Sequence, residues 1–256
     1  MELGKITEHS KVYDTCQIQV AGFSVKNSHC YPPGMISLVE LFERSSNVAS
    51  FGIAKLMTDR EFYNQIRKFG FGQNTGIDLA GESPGIWRQL KNWDKTTKMV
   101  MSYGYGTEVS AMQMVAAVGA IANNGLKVTP HVIKYSPEEE SKKVKYTQVV
   151  SPETAQTVTK LLTQSIEQGK STLKMDKYYL AAKTGTSNKV KNGKYVTNES
   201  YTSAIGYFPV KNPEILIYVC FDNPKGYGVW GNTVAGPVFH EIAEQTARIL
   251  NIKQDK

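Results

Sequence analysis

The stretch Tyr-Tyr-Leu-Ala-Ala-Lys-Thr-Gly-Thr at residues 178–186 marks the point where the chain changes from helical to extended periodicity. Residues 178–184 are predicted to form a strand. Two more strands are predicted at residues 201–209 and 214–222, where β-branched and aromatic residues are frequent. The turn Lys211-Asn212-Pro213 between the last two strands is short. Strands joined by such a short turn pair antiparallel, so an antiparallel sheet is expected here.

The residues before this point carry the signals of helices. Ser37 is followed three residues later by Glu40, and Thr58 is followed in the same way by Glu61. This spacing is that of a capping box, in which the two side chains satisfy backbone N–H groups at the start of a helix. We therefore predict that residues 37–170 are mainly helical.

The order of the elements indicates the fold class. After the strands, residues 234–250 are predicted to form a closing helix. Helices, then consecutive antiparallel strands, then a helix are typical of an α+β fold rather than of alternating βαβ units. We expect one helical part at residues 37–170 and one part at residues 171–256 that holds the sheet and the last helix.

The composition excludes several classes of protein. Of the 256 residues, 41% are hydrophobic and 10% aromatic, which is enough for a folded core. No apolar run approaches the ~18 residues that a membrane-spanning helix needs. The net charge of +7 favours anionic partners. Because the basic residues are scattered and lack interleaved aromatics, we interpret them as a solvated surface and expect no nucleic-acid partner.

The three cysteines do not predict a metal site. Cys16, Cys30 and Cys220 lack the spacing of metal ligands, and an odd number does not form a disulfide framework. Cys16 and Cys30 flank a short segment and could pair in an oxidising compartment or remain free. Cys220 lies in an apolar run and is predicted to be buried. The four histidines are scattered as well, so we expect neither a metal nor another cofactor.

Two short motifs carry residue types suited to acyl-transfer chemistry. The first is Ser45-Ser46-Asn47, and the second is Lys183-Thr184-Gly185-Thr186 at the end of the first predicted strand. Gly185 allows another backbone to come close, and the neighbouring hydroxyls can bind a carboxylate. Each motif alone is also compatible with an ordinary helix linker or a polar turn. Ser-x-Asn followed by Lys-Thr-Gly, however, belongs to the motif set of penicillin-binding proteins and class A β-lactamases.

The two motifs and the sequence around them resemble the transpeptidase domain of class B penicillin-binding proteins, the division- and elongation-associated peptidoglycan D,D-transpeptidases. The resemblance runs from about residue 14 to the last helix. The stretches that carry it are Ser45-Ser46-Asn47-Val48-Ala49, Phe69-Gly70-Phe71-Gly72, Thr75-Gly76-Ile77-Asp78-Leu79 with Gly81-Glu82, Tyr103-Gly104-Tyr105-Gly106, Gln113, Ala122-Asn123-Asn124-Gly125, Pro130 and Ala182-Lys183-Thr184-Gly185-Thr186.

The chain departs from the family's pattern at the nucleophile. The family carries its acylated serine in a Ser-x-x-Lys motif upstream of Ser-x-Asn. In this chain the motif occurs once, at Ser171-Thr172-Leu173-Lys174, which lies downstream and is interpreted as a chance match. The expectation is a transpeptidase domain that begins after its own nucleophile, as in a fragment, a split gene or a truncated frame. Its fold would be that of penicillin-recognising serine transferases without the N-terminal strands and the nucleophile helix.

The resemblance implies a role for each matching residue. The reaction would cross-link peptidoglycan stem peptides ending in D-Ala-D-Ala through an acyl-serine intermediate. Ser45, hydrogen-bonded to the Lys183 ammonium, would relay a proton to the leaving amine. Asn47 would hold the carbonyl of the substrate peptide. The hydroxyls of Thr184 and Thr186 would bind its terminal carboxylate, and the Thr186 N–H would form half of an oxyanion hole.

The implied partners are stem peptides and β-lactams, together with other cell-wall synthesis or divisome proteins, on the outer face of the bacterial cytoplasmic membrane. Two other functions stay open at this stage. One is a non-catalytic penicillin-binding-like fragment or interaction module, which the missing nucleophile favours. The other is a penicillin-hydrolysing or antibiotic-sensing relative. The Phe-Gly-Phe-Gly and Thr-Gly-Ile-Asp stretches favour the transpeptidase over this last group.

Overall fold

A computed structural model describes residues 1–191, 194–226 and 228–256, without the side chains of Lys194 and Thr197. It divides the chain into two compact units, Met1–Thr157 and Val158–Lys256. The α+β class predicted from the sequence is confirmed. No helix within the described ranges is long and apolar enough to cross a bilayer.

The first unit begins with two antiparallel strand pairs. Strand β1 (Lys11–Asp14) pairs with β4 (Gly34–Ser37), and between them in sequence β2 (Gln17–Val20) pairs with β3 (Phe23–Lys26). The sequence of this segment predicted turns but not these strands, because each strand has only four residues. A disulfide joins Cys16 and Cys30, whose Cα atoms are 4.8 Å apart, so the two cysteines that could have stayed free are paired.

Helices make up most of the remaining first unit, and their starts follow the predicted capping boxes. In both the Ser37–Glu40 and the Thr58–Glu61 pair the serine or threonine and the glutamate exchange hydrogen bonds with each other's backbone N–H. The helices and the short strand pair of this unit are α1 (Leu38–Arg44), α2 (Asn47–Ala54), α3 (Asp59–Lys68), α4 (Thr97–Met101), α5 (Ala111–Ala122), β5 (Leu126–Val128), α6 (Pro137–Lys143) and β6 (Tyr146–Gln148). Helix α7 (Pro152–Gln168) leads into the second unit.

The second unit is an antiparallel sheet covered by a helix. Its strands are β7 (Ala181–Lys191), β8 (Lys194–Phe208) and β9 (Ile215–Asp222), in the spatial order β7-β8-β9. Helix α8 (Gly236–Ile249) follows a π-helical turn at Gly231–Ala235. The core contains fully buried side chains from the sheet, from α8 and from the segment before β7: Leu173, Met175, Leu180, Phe208 and Phe239.

Two expectations for this unit need correction. The predicted strand at 178–184 begins three residues later and continues to Lys191, because its polar second half pairs with the first residues of β8. Cys220, predicted to be buried, is exposed. On β9 the buried residues are Ile217 and Val219, and Cys220 points to the opposite face from Val219, since successive side chains of a strand alternate.

Candidate active site

Ser45 lies at a tight turn between two helices of the first unit. It ends α1 in the left-handed conformation, with φ +52° and ψ +47°, and its N–H donates to the carbonyl of Phe42. This conformation is unfavourable for a residue with a side chain and is frequent at functional sites. Ser46 then caps the start of α2. The Ser45 residue is exposed while Ser46 is buried, so the turn presents the first serine to solvent.

Ser46 anchors this turn through a buried polar network. Its hydroxyl donates to the Asp14 carboxylate at 2.9 Å and accepts the N–H of Ala49 at 3.0 Å. The Asn27 side chain donates to the same Asp14 oxygen at 3.0 Å and accepts the N–H of Val48 at 3.1 Å. This network could not be predicted from the sequence, because Asp14 and Asn27 belong to the strand segment and are distant from Ser46 along the chain.

We expect Ser46→Ala to lower the free energy of unfolding by about 2–3 kcal/mol. The change removes the helix cap, which contributes about 1 kcal/mol, and takes a partner from a buried carboxylate. Ser50→Ala is the matched control, since Ser50 lies on the same helix and its hydroxyl donates to the Ser46 carbonyl at 2.7 Å. Its cost should stay below about 1 kcal/mol. Equal losses in urea denaturation of the two variants would contradict the role of the network.

Asn47 is the first residue of α2 and is half-buried. Its side-chain amide donates to the Lys26 carbonyl at the end of β3, at 2.8 Å. A primary amide has two N–H donors and one acceptor oxygen. This contact therefore fixes the orientation of the side chain and leaves one donor and the acceptor for other groups.

In the second unit, Lys183 lies on β7 opposite Ile205 of β8. Its ammonium donates to the carbonyl of Thr184 at 3.1 Å. Burial disfavours the charged form and lowers the pKa of Lys183 to about 8. A lysine with such a pKa is mostly charged at neutral pH and can release its proton at moderate cost, which suits a group that stabilises an anion or takes part in proton transfer.

The three residues after Lys183 continue along the same strand. Gly185 is exposed and lies opposite Ser203, while Thr184 and Thr186 are half-buried. The Thr186 hydroxyl accepts the backbone N–H of Gly231 at 2.9 Å. The structure thus places Ser45 and Asn47 at one turn of the first unit, and Lys183, Thr184, Gly185 and Thr186 along one strand of the second.

The single Ser-x-x-Lys match has a geometry unsuited to nucleophilic catalysis. Ser171 to Lys174 form a turn after α7, not a helix. The Lys174 ammonium donates to the Glu167 carbonyl at 2.9 Å and lies 3.4 Å from the Glu167 carboxylate. The Ser171 hydroxyl accepts the N–H of Leu173 at 3.2 Å. The ion pair with Glu167 therefore favours the charged form of Lys174, whereas a base for Ser171 would have to be neutral.

The stretch Thr75–Glu82 is a loop closed by its own acidic residues. The Glu82 carboxylate accepts the N–H groups of Thr75 and Gly76, at 2.6 and 3.1 Å. Asp78 accepts the N–H groups of Val132 and Ile133, at 2.9 and 3.0 Å, and the first of these bonds contributes most to holding the pKa of Asp78 below its ordinary value. These hydrogen bonds close the loop and tie it to residues 132 and 133 of the first unit.

A polar cavity of about 470 Å³ also lies in the first unit. Among its walls are Gln113 of α5 and three lysines, Lys127, Lys143 and Lys145. Burial lowers the pKa of Lys127. None of the six predicted site residues lines this cavity, so it is separate from both motifs. Within the described ranges, no group of three or more histidine, cysteine or acidic residues is arranged to hold a metal ion.

The family model for the penicillin binding protein transpeptidase domain matches residues 2–244. The chain belongs to this family. The penicillin-binding protein transpeptidases most similar in sequence include the probable peptidoglycan D,D-transpeptidase PenA of Neisseria flavescens, 29% identical over 100% of this chain and 62% of the relative. Stage V sporulation protein D of Bacillus subtilis is 31% identical over 97% of this chain and 40% of its own length. The chain thus spans less than two thirds of both relatives.

Solved structures of penicillin-binding proteins share the fold. Penicillin-binding protein 3 of Mycobacterium tuberculosis in complex with aztreonam superposes with a TM-score of 0.90 at 28% identity, over 100% of this chain and 60% of that chain. The transpeptidase domain of penicillin-binding protein 3 from Burkholderia pseudomallei gives a TM-score of 0.89 at 29% identity, over 100% and 76%. The penicillin-recognising fold expected from the resemblance is therefore confirmed.

Proposed function

We propose that this chain is the part of a peptidoglycan D,D-transpeptidase that binds D-Ala-D-Ala stem peptides and β-lactams. The observation that carries the proposal is the Lys183–Thr186 segment on β7. This strand lies at the edge of the sheet in the described part of the chain, so its outer side can accept a peptide as an added strand. Along that strand it offers a desolvated ammonium and two hydroxyls to a carboxylate.

Each residue of the segment has a defined task in this proposal. Lys183 supplies positive charge next to the substrate carboxylate. Thr184 and Thr186 donate their hydroxyl protons to it, and the backbone of Gly185 lies against the substrate. The Thr186 N–H stabilises the negative oxygen that forms when the substrate carbonyl is attacked.

The Ser45 turn acts on the same substrate in this proposal. The remaining N–H of Asn47 donates to the peptide carbonyl. Its side-chain oxygen accepts from the lysine of the Ser-x-x-Lys segment, and so orients the lysine that activates the nucleophile. The Ser45 hydroxyl, coupled to Lys183, passes a proton to the leaving D-alanine amine. The acyl group moves from the D-Ala-D-Ala amide to a serine oxygen, and then to an amine of a neighbouring stem peptide. The transfer therefore needs a serine from a Ser-x-x-Lys segment in addition to these residues.

We propose further that the protein acts on the outer face of the bacterial cytoplasmic membrane, together with other proteins of cell-wall synthesis or division. The related M. tuberculosis protein was solved with aztreonam and with ampicillin. β-Lactams of both kinds carry an anionic group next to the reactive ring, so the Lys183 segment of this chain is expected to bind them in the same way as a stem peptide.

A non-catalytic penicillin-binding module is the second candidate function. It is favoured by the Ser171–Lys174 turn, in which Lys174 is hydrogen-bonded to and ion-paired with Glu167. In that case the chain would bind D-Ala-D-Ala peptides without transferring an acyl group. Addition of a Ser-x-x-Lys segment, in the same chain or as a separate one, separates the two functions, because only the transpeptidase would then release D-alanine.

Titration with a diacetylated Lys-D-Ala-D-Ala peptide tests the proposal directly. We expect weak binding of the acid. Its affinity should fall by at least about tenfold when the terminal carboxylate is replaced by an amide, since a hydrogen bond to a charged group contributes about 1.5–3 kcal/mol. The L-Ala-L-Ala peptide serves as the stereochemical control and should bind more weakly. Equal binding of the acid and the amide, or no binding of either, would show that the segment does not recognise this carboxylate.

The affinity for the acid should also depend on pH through Lys183. The ammonium predominates below its pKa of about 8, so binding should be constant up to about pH 7 and weaken as the pH rises through 8. Lys183→Arg keeps its charge over this range and should give a flat profile. The measurement is the dissociation constant between pH 6 and 10. A parent profile that is flat to pH 10 would mean that the Lys183 charge is not used.

A further inference from the structure

The π-helical turn at Gly231–Ala235 contacts the Lys183–Thr186 segment from within the second unit. The Gly231 N–H donates to the Thr186 hydroxyl oxygen at 2.9 Å. Such turns, with their i→i+5 hydrogen bonds, are rare and often occur at functional sites. The sequence contained no signal for this contact, because Gly231 is separated from Thr186 by the whole of β8 and β9.

Position 231 has no space for a side chain, so glycine is required there. A Cβ atom at this position would lie 2.5 Å from the Gly185 carbonyl oxygen and 2.7 Å from the Ser203 carbonyl oxygen. Both atoms belong to the backbone of the sheet and cannot move aside without displacing a strand. The backbone of residue 231 therefore sits directly against the strand that carries the site.

The neighbours of Gly231 hold it in this position. The N–H of Trp230 donates to the Thr233 hydroxyl at 3.1 Å. On the other side, the Thr172 N–H donates to the Asn232 side-chain oxygen at 3.0 Å, and the Thr172 hydroxyl donates to the Asn232 carbonyl at 2.6 Å. The turn is thus fixed before and after Gly231, so the Gly231 N–H has a defined direction.

We propose that Gly231 is a positioning residue for carboxylate recognition by Thr186; the inference rests on the proposed function of the segment. A hydroxyl has one proton to donate and two lone pairs to accept with. The Gly231 N–H occupies a lone pair of the Thr186 oxygen, which directs the hydroxyl proton away from the turn and polarises it. Thr186 is thereby held as a donor, and its bond to an anionic carboxylate is stronger than its bond to the neutral carbonyl oxygen of an amide.

The test compares Gly231→Ala with Gly85→Ala, a control from the first unit. A Cβ at Gly85 would also clash with a backbone atom, the Glu108 carbonyl oxygen, at 2.1 Å, but this atom belongs neither to β7 nor to the π-helical turn. The readout is the ratio of affinities for the diacetylated Lys-D-Ala-D-Ala acid and its C-terminal amide. We expect Gly231→Ala to reduce this ratio by about tenfold, to the level of Thr186→Val, because the first variant leaves the Thr186 hydroxyl without its orientation and the second removes that hydroxyl. Gly85→Ala should keep the parent ratio, and Gly231→Ala in the Thr186→Val background should change it less than about twofold.

A second measurement does not depend on the folding of Gly231→Ala. In the parent chain, the amide signal of Gly231 in a proton–nitrogen NMR spectrum should shift on titration with the acid but not with the amide. In Thr186→Val it should no longer respond, and in Thr186→Ser, which keeps the hydroxyl, it should respond as in the parent. A parent that prefers the acid while Gly231→Ala keeps the same ratio, or while the Gly231 signal stays unchanged, would overturn the inference. A parent without preference for the acid would instead contradict the proposed function.

Discussion

The 256-residue chain is expected to carry no fluorescent penicillin after denaturation on a gel. Covalent labelling requires a serine next to a group that can take its proton. The one Ser-x-x-Lys match of the sequence lies at Ser171–Lys174. There the lysine donates to the Glu167 carbonyl and is ion-paired with its carboxylate, and the serine is in a turn. In the proposed function Ser45, the serine of the Ser-x-Asn motif, relays a proton and is not acylated.

The control for this experiment is a penicillin-binding protein with a Ser-x-x-Lys motif, labelled at the same concentration and for the same time. A band from the chain that survives denaturation would contradict the prediction. Mass spectrometry of the labelled peptide, together with Ser171→Ala, would then identify the acylated serine. An adduct at Ser171 would mean that the ion pair between Lys174 and Glu167 opens in solution.

The second large effect concerns a nucleophile-bearing form, meaning a longer chain that includes a Ser-x-x-Lys segment before these residues. In that form Lys183→Ala should slow acylation by penicillin by about 10²–10⁴-fold, the range for losing a proton-transfer or charge-stabilising group. The lysine acts twice in the proposal, on the carboxylate and on the Ser45 proton. Its removal is therefore expected to cost more than the loss of Thr186 in Thr186→Val, which mainly weakens recognition of the carboxylate.

Lys174→Ala is the matched control for Lys183→Ala. Both lysines lie in the second unit, but the Lys174 ammonium is held by Glu167 in the turn after α7. Its removal should leave acylation within about twofold of the parent, as is usual for a surface ion pair. If Lys183→Ala also stays within twofold, the assignment of the Lys-Thr-Gly segment to carboxylate binding is wrong.

The sequence predicted those helices and strands that are determined by residues close together along the chain. The capping boxes at Ser37 and Thr58 and the strand that carries Lys183 depend on residues a few positions apart. The structure contains both boxes, and it contains the strand with a start at Ala181. The first 36 residues were different. Their four-residue strands are stabilised by pairing across the segment, as in β1 with β4, and by the disulfide between Cys16 and Cys30. Neither is visible as a periodicity.

The same distinction applies to the candidate site. Ser45, Asn47 and the Lys183–Thr186 segment remain predictions, and they could be selected because each motif is contiguous and its residue types match a known set. The groups that hold the motifs in place could not. Asp14 reaches Ser46, and Gly231 reaches Thr186, only through the folded chain. Supporting residues of this kind have ordinary chemistry, and a sequence shows their role only when their partners are known.

A double-mutant cycle between Ser45 and Lys183 tests the central claim most directly, namely that the two motifs act on one substrate in one proton-transfer step. The measurement is the rate of acylation by penicillin of the nucleophile-bearing form, for Ser45→Ala, Lys183→Ala and the double variant. Residues that act as a unit are strongly non-additive. The account predicts that Ser45→Ala alone costs about 10²–10⁴-fold, and that the double variant is slower than the worse single variant by less than about tenfold. A double variant whose loss is the product of the two single losses, or a Ser45→Ala variant within about twofold of the parent, would contradict it.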